Sequence, residues 1–239
     1  MFFKHRFLFL PLLFLLFVTD VFSQGGPDYR KYIETAGDVS VLYRGKQATK
    51  YPFLHNGTYY WFGPKYEEGN LIYNGKEYFN LMMNIDAFQN ELLLKHNNNI
   101  LEVSLNGDLV TSFTLGNKLF LNLSKLGYDV PAGFYLELYS GKDKLYKNVK
   151  KVFSDRIHVG YYDYEFNPDI LKDFAPEVSY YLLKDGIISK IGSKKSLIKS
   201  FPDKKRIVRR YIRKNDLDIE RNFDVFSIKV LTFIESGNE

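Results

Sequence analysis

The sequence predicts an α+β protein: an antiparallel, β-rich body of hairpins and meander followed by two or three C-terminal α-helices. Three observations predict it. The chain holds 19 Tyr and 21 Phe against a single Trp, and large aromatic side chains favour pleated, half-buried surfaces. Asn-Gly and Asp-Gly dipeptides, suited to tight hairpin turns, recur between short alternating runs. Beyond Ser193 the apolar spacing changes from period two to the steps of three and four that mark a helix.

The chain opens with Lys4, His5 and Arg6, then an uncharged run, FLFLPLLFLLFV, over residues 7–18. Val21 and Ser23 follow at the −3 and −1 positions of a peptidase site. This is the order of a secretory signal peptide over residues 1–23, cut after Ser23. The run contains Pro11 and is shorter than the about 20 residues a spanning helix needs. No later segment is long and apolar enough to span, so an exported chain is expected, periplasmic or secreted.

The sequence has no cysteine. That excludes a thiol nucleophile, a disulfide framework and a lipid attached at a lipobox cysteine, so the fold must rest on its own core. The net charge is +5, and removal of residues 1–23 lowers it by one unit. The expected organisation is a flexible segment over 24–37, a β-rich domain over 38–192 and a helical segment over 193–239 packed on it.

Within the β-rich part, Phe53-Leu54 and Thr58–Phe62 flank Asn56-Gly57 as a hairpin, and Leu71–Tyr73 and Lys76–Phe79 flank Asn74-Gly75 as another. Leu101–Leu105 and Leu109–Leu115 around Asn106-Gly107 repeat the device. Leu119–Leu123 and Phe134–Tyr139 alternate as strands. The basic segment from Asp143 to Ser154 reads as a link between layers, and Ile157–Phe166 as a strand ended by Asn167-Pro168. Val178–Leu183 and Ile187–Ile191 around Asp185-Gly186 form the clearest hairpin.

In the helical part, Leu197, Ile198 and Phe201 suggest a short helical turn before Pro202, which can also open the next helix. Ile207, Val208, Tyr211 and Ile212 form one stripe of that helix. Ile219, Phe223, Phe226, Val230 and Phe233 form one face of the last.

Three stretches, LIYNGKEYFNLMMNIDAFQNELLL, GFYLELYSGKDKLYK and SYYLLKDGIISKIGSKKSLIKSFPDKKRIVRRYIRKNDL, resemble a family of exported proteins from Bacteroidota to which no activity is assigned. The resemblance runs from about Leu71 to the C-terminus. It implies an envelope location and a bacterial host, and it carries no site residues.

Lys184–Lys214 holds 12 Lys or Arg against Asp185 and Asp203. Lys204, Lys205, Arg206, Arg209, Arg210, Arg213 and Lys214 surround the apolar stripe of the middle helix. Such a patch suits a phosphate-bearing polymer or an anionic membrane face. The competing reading is a solvated surface offset by Val159–Leu183 and Asn215–Glu239, each of net charge −4. Tyr59 and Trp61 share one face of a strand and offer a stacking surface for a glycan or peptide, against the competing reading of core packing. Asp163 and Glu165 would point the same way from one strand, as an acidic pair or as ordinary alternation.

His55, His96 and His158 show no metal-ligand spacing, and no P-loop, GxGxxG or GxSxG motif is present. No metal and no cofactor is therefore predicted. Asn56 and Asn122 match a eukaryotic glycosylation pattern that lapses in a bacterium. Two function classes follow. One is a non-catalytic binding or accessory domain that meets another envelope protein, a glycan or an anionic lipid surface. The alternative is a carboxylate-dependent hydrolase acting on glycan or peptide through residues such as Asp163 and Glu165. Export argues against nucleic acid. An outer-membrane β-barrel is a third reading, opposed by the C-terminal amphipathic helix.

Overall fold

The structure is a computed structural model and describes Lys31 and residues 41–53, 55–96, 102–158, 169–217 and 222–237. The expected signal segment, the Asn167-Pro168 break, Asp163 and Glu165 lie outside the described residues. The strands are β1 (Lys46–Gln47), β2 (His55–Gly57), β3 (Glu67–Tyr73), β4 (Lys76–Asp86), β5 (Glu91–Lys95) and β6 (Glu102–Leu105). They continue with β7 (Val110–Leu115), β8 (Lys118–Leu121), β9 (Tyr135–Ser140), β10 (Lys144–His158), β11 (Asp169–Lys184) and β12 (Ile187–Ile191). They form one sheet in the order β1-β6-β5-β4-β3-β7-β8-β9-β10-β11-β12, with β2 beside β11. Neighbouring strands along that order are antiparallel; β2 runs parallel to β11.

Local turn chemistry sets two of the hairpins. Asn74-Gly75 joins β3 to β4 with φ of 50° and 73°, and Asp185-Gly186 joins β11 to β12 with φ of 49° and 79°. Both dipeptides supply the paired positive φ that a two-residue turn requires. Asp86 builds the β4–β5 turn differently. Its Oδ1 accepts the backbone N–H groups of Phe88 and Gln89, each at 2.9 Å, and its Oδ2 accepts the Tyr51 hydroxyl at 2.8 Å.

Three expectations are corrected. Asn56-Gly57 does not turn a hairpin but lies in β2, beside Lys172–Phe174 of β11. Gly57 is needed there because its φ is +72° and a Cβ would stand 2.7 Å from the Phe174 carbonyl oxygen. Asn106-Gly107 does not join paired strands, since β6 pairs with β1 and β5 while β7 pairs with β3 and β8. The Asn106 side chain instead accepts the N–H of Asp108 and opens a short 3-10 turn. The basic segment from Asp143 is no link either: Lys144–His158 is a single strand, registered against Asp169–Lys184 along its length.

The sheet curls back on itself. The Trp61 N–H donates to Ile85, the Ala87 N–H to Tyr59 and the Lys151 N–H to Ala87, so the end of β4 meets the middle of β10. The enclosed face holds Met83, Leu92, Leu94, Phe113, Phe120 and Val149 in one core. Phe113 and Phe120 stack at 5.0 Å between centroids, nearly parallel.

The C-terminal strands carry three helices: α1 (Lys194–Lys199), α2 (Lys205–Lys214) and α3 (Phe223–Glu235). A reciprocal cap starts α1: Ser193 Oγ accepts the Ser196 N–H, and Ser196 Oγ accepts the Ser193 N–H. Asn222 caps α3 by accepting the N–H groups of Asp224 and Val225.

Leu197, Ile198, Phe201, Val208, Ile212, Phe226, Val230, Leu231 and Ile234 bury themselves against Leu145, Leu182 and Ile191 of β10, β11 and β12. Each such side chain contributes about 1.5–3 kcal/mol of burial. Of the face expected on α3, Phe226 and Val230 are buried, Phe223 and Phe233 only partly, and Ile219 lies outside the described residues. Leu231 and Ile234 complete the buried side. Among the described residues no helix is long and apolar enough to cross a membrane.

Candidate anion-binding groove

Packing of α1 against α2 opens a groove of about 790 Å³, lined by Lys194, Lys195 and Lys199 from α1 and by Lys205, Arg209 and Arg213 from α2, over Ile198. Lys205, Arg209 and Arg213 follow at i, i+4 and i+8, so they line one side of α2 at a rise of about 6 Å per step. Lys195 and Lys199 repeat that step on α1. The apolar stripe of α2, Val208 and Ile212, faces the core, which fixes this row towards α1.

The arrangement works against helix stability. Like charges at i, i+4 repel, and the positive end of the helix dipole disfavours cations in a first turn. Lys205 and Arg206 occupy the first turn of α2, whose Lys204 N-cap makes no side-chain cap hydrogen bond. Neither α1 nor α2 has an acidic residue in its first turn. Among the described residues, none of the six groove cations takes part in an ion pair or side-chain hydrogen bond.

The two acidic residues of α3 are engaged elsewhere. Asp224 pairs with Lys147 and accepts the Tyr180 hydroxyl, both on the sheet. Glu235 accepts the backbone N–H of Asp143 at 3.0 Å. Burial pushes the Glu235 carboxyl upward, but hydrogen bonds from Asp143, Tyr139 and Lys142 outweigh it and hold the group below the usual carboxylate range.

The sequence-predicted patch therefore divides. Lys205, Arg209 and Arg213 line the groove. Lys204 turns away, and its ammonium donates to the Ile234 carbonyl at 2.7 Å, at the C-terminal end of α3. Arg206 and Arg210 are exposed and do not line the groove. Lys194, Lys195 and Lys199 belong to the site but were not assigned to it by sequence. Their signal was present in the basic run, but only the packing of α1 on α2 brings the two rows together.

Lys204 instead helps line a smaller pocket of about 390 Å³ with Lys142, Asp143, Lys184, Asp203 and Glu235. There Asp143 is 4% exposed, and its Oδ1 has no hydrogen-bond partner. Burial pushes its carboxyl above the usual range, although Lys184 pulls the other way.

Trp61 is buried in the main core, with its ring edge-on to Phe120 at 5.2 Å between centroids. The stacking surface considered for it is thus turned inward. Tyr59 is half-buried in a separate aromatic group around Phe174, which also includes Tyr51 and His55. Its hydroxyl donates to the Tyr60 hydroxyl at 3.1 Å. The two residues do not share a surface. His96 packs on Tyr43, far in sequence from His55, and no group of three or more metal-type side chains gathers among the described residues. Asn122 is buried and holds the carbonyls of Gly107 and Val110.

No family model matches the chain, and no curated protein or solved structure matches it.

Proposed function

We propose that this chain is a non-catalytic binding domain of the cell envelope that captures an anionic partner in the groove between α1 and α2. The observation that carries the reading is the groove's lining: six cations, one isoleucine and no carboxylate. A merely solvated helix surface gains nothing from that concentration, whereas a site for an anion uses the repulsion it stores. The expected export signal over residues 1–23 and the resemblance to exported Bacteroidota proteins support an envelope partner in this reading.

Two of the described carboxylates are tied to turns of the fold. Asp86 is committed to the β4–β5 turn and Glu235 to the β9–β10 turn, so neither is available to move a proton to a substrate.

Retention on phosphocellulose tests the proposal. The protein is expected to bind at low ionic strength and to elute as salt rises, while Lys199→Glu with Arg209→Glu elutes early. Passage of the unaltered protein through the column at low salt would remove the proposal.

A further inference from the structure

The groove's shape and chemistry narrow the anion, and the narrowing rests on the binding role proposed above. We infer that the groove takes a linear phosphate-bearing polymer, laid between α1 and α2 so that successive phosphates meet successive cations. Lys205 and Arg213 stand about 12 Å apart along the axis of α2, with Arg209 midway. A chain bearing a charge at every repeat therefore meets a cation at each helical turn, and Lys195 and Lys199 supply a second row from α1. At about 790 Å³ the groove is far larger than one phosphate group, so a single anion leaves most of the cations unmatched.

Three features select among polyanions. The lining contains Ile198 as its one apolar side chain, which offers no seat for an acyl chain or an apolar peptide anchor. The two rows of cations border one groove, so a strand laid along it meets both at once. Arg209 and Arg213 present planar guanidinium forks that pair with phosphate oxygens two at a time, and Lys205 adds its charge beside the uncapped start of α2.

The test uses inorganic polyphosphate of graded length, phosphatidylglycerol vesicles and polygalacturonate, each titrated against the full chain. Affinity is expected to rise with polyphosphate length until the chain spans the groove, and then to level. Lys199→Glu with Arg209→Glu is expected to lower that affinity at least about tenfold. Arg206→Glu with Arg210→Glu makes the same change in net charge outside the groove, so it is expected to leave affinity within about threefold. The milder Lys199→Gln with Arg209→Gln serves if charge reversal disturbs folding.

Equal losses from the two charge-matched pairs would overturn the groove as the site. Binding to vesicles without binding to polyphosphate would overturn the polymer, and equal affinity for polygalacturonate would overturn phosphate; both leave the anion-binding role standing. Absence of binding to all three probes would overturn that role as well.

Discussion

Asp224, in the first turn of α3, places one carboxylate oxygen 2.6 Å from the ammonium of Lys147 on β10 and the other 2.6 Å from the hydroxyl of Tyr180 on β11. One side chain thereby pins the last helix across two strands. Both acids of α3, Asp224 and Glu235, are engaged away from the groove, whose lining holds no carboxylate.

Replacing Asp224 with Ala leaves Lys147 and the Tyr180 hydroxyl without that partner. Both members of the ion pair are mostly buried, at 20% and 24% side-chain exposure. A loss of about 1–2 kcal/mol is expected, below the value for a fully buried pair. Urea denaturation of the two proteins measures it, and an unchanged midpoint would mean that the pair holds nothing.

Trp61 is the chain's single tryptophan and is buried against Phe120. Its native fluorescence is expected to be blue-shifted and poorly quenched by acrylamide, moving red on unfolding. Soluble glycans should leave the native emission unchanged. Trp61→Ala is expected to cost about 3–5 kcal/mol through the cavity it opens. Ready quenching of the folded protein would contradict this placement.

The fold shifts the Asp143 and Glu235 carboxyls in opposite directions. The folded state raises the Asp143 carboxyl by burying it, so the fold favours its protonated form. That stability is complete below the ordinary carboxylate pKa and is lost as pH rises through the raised value. Glu235 is held below its ordinary value, so its contribution is present above that value and is lost as pH falls through the lowered one. Asp143→Asn should therefore be more stable than the parent near neutral pH, by about 1 kcal/mol for a buried oxygen without a partner. The difference should vanish below about pH 3, where Asp143 is protonated folded or unfolded. Urea midpoints across that range decide it; a gap that persists in acid would contradict the assignment.

How much of this was legible in the sequence differs from residue to residue. Asp185-Gly186 and Asn74-Gly75 adopt the expected positive φ because a two-residue turn is a local matter. Asn106-Gly107 is the same kind of dipeptide, yet β7 finds β3, with Leu71 opposite Phe113. That pairing is chosen by distant partners that no local pattern records. The strand from Lys144 was hidden because Lys147, Asn148, Lys150 and Lys151 interrupt its alternation, while its long antiparallel partner supplies the hydrogen bonds. The groove was half visible. Arg209 and Arg213 stood out as a charged row on an amphipathic helix, but their opposition to Lys195 and Lys199 depends on how α1 settles on α2.

The dependence of stability on salt tests the uncompensated charge of the groove most directly. Between about 0.01 M and 0.1 M sodium chloride the screening length falls from about 30 Å to about 10 Å. Over that range the unaltered protein should gain thermal stability as repulsion among Lys195, Lys199, Lys205, Arg209 and Arg213 is screened. Lys199→Gln with Arg209→Gln should start more stable at low salt and gain less. A melting temperature that stays level or falls as salt is added, in the unaltered protein, would show that these cations are already neutralised within the fold.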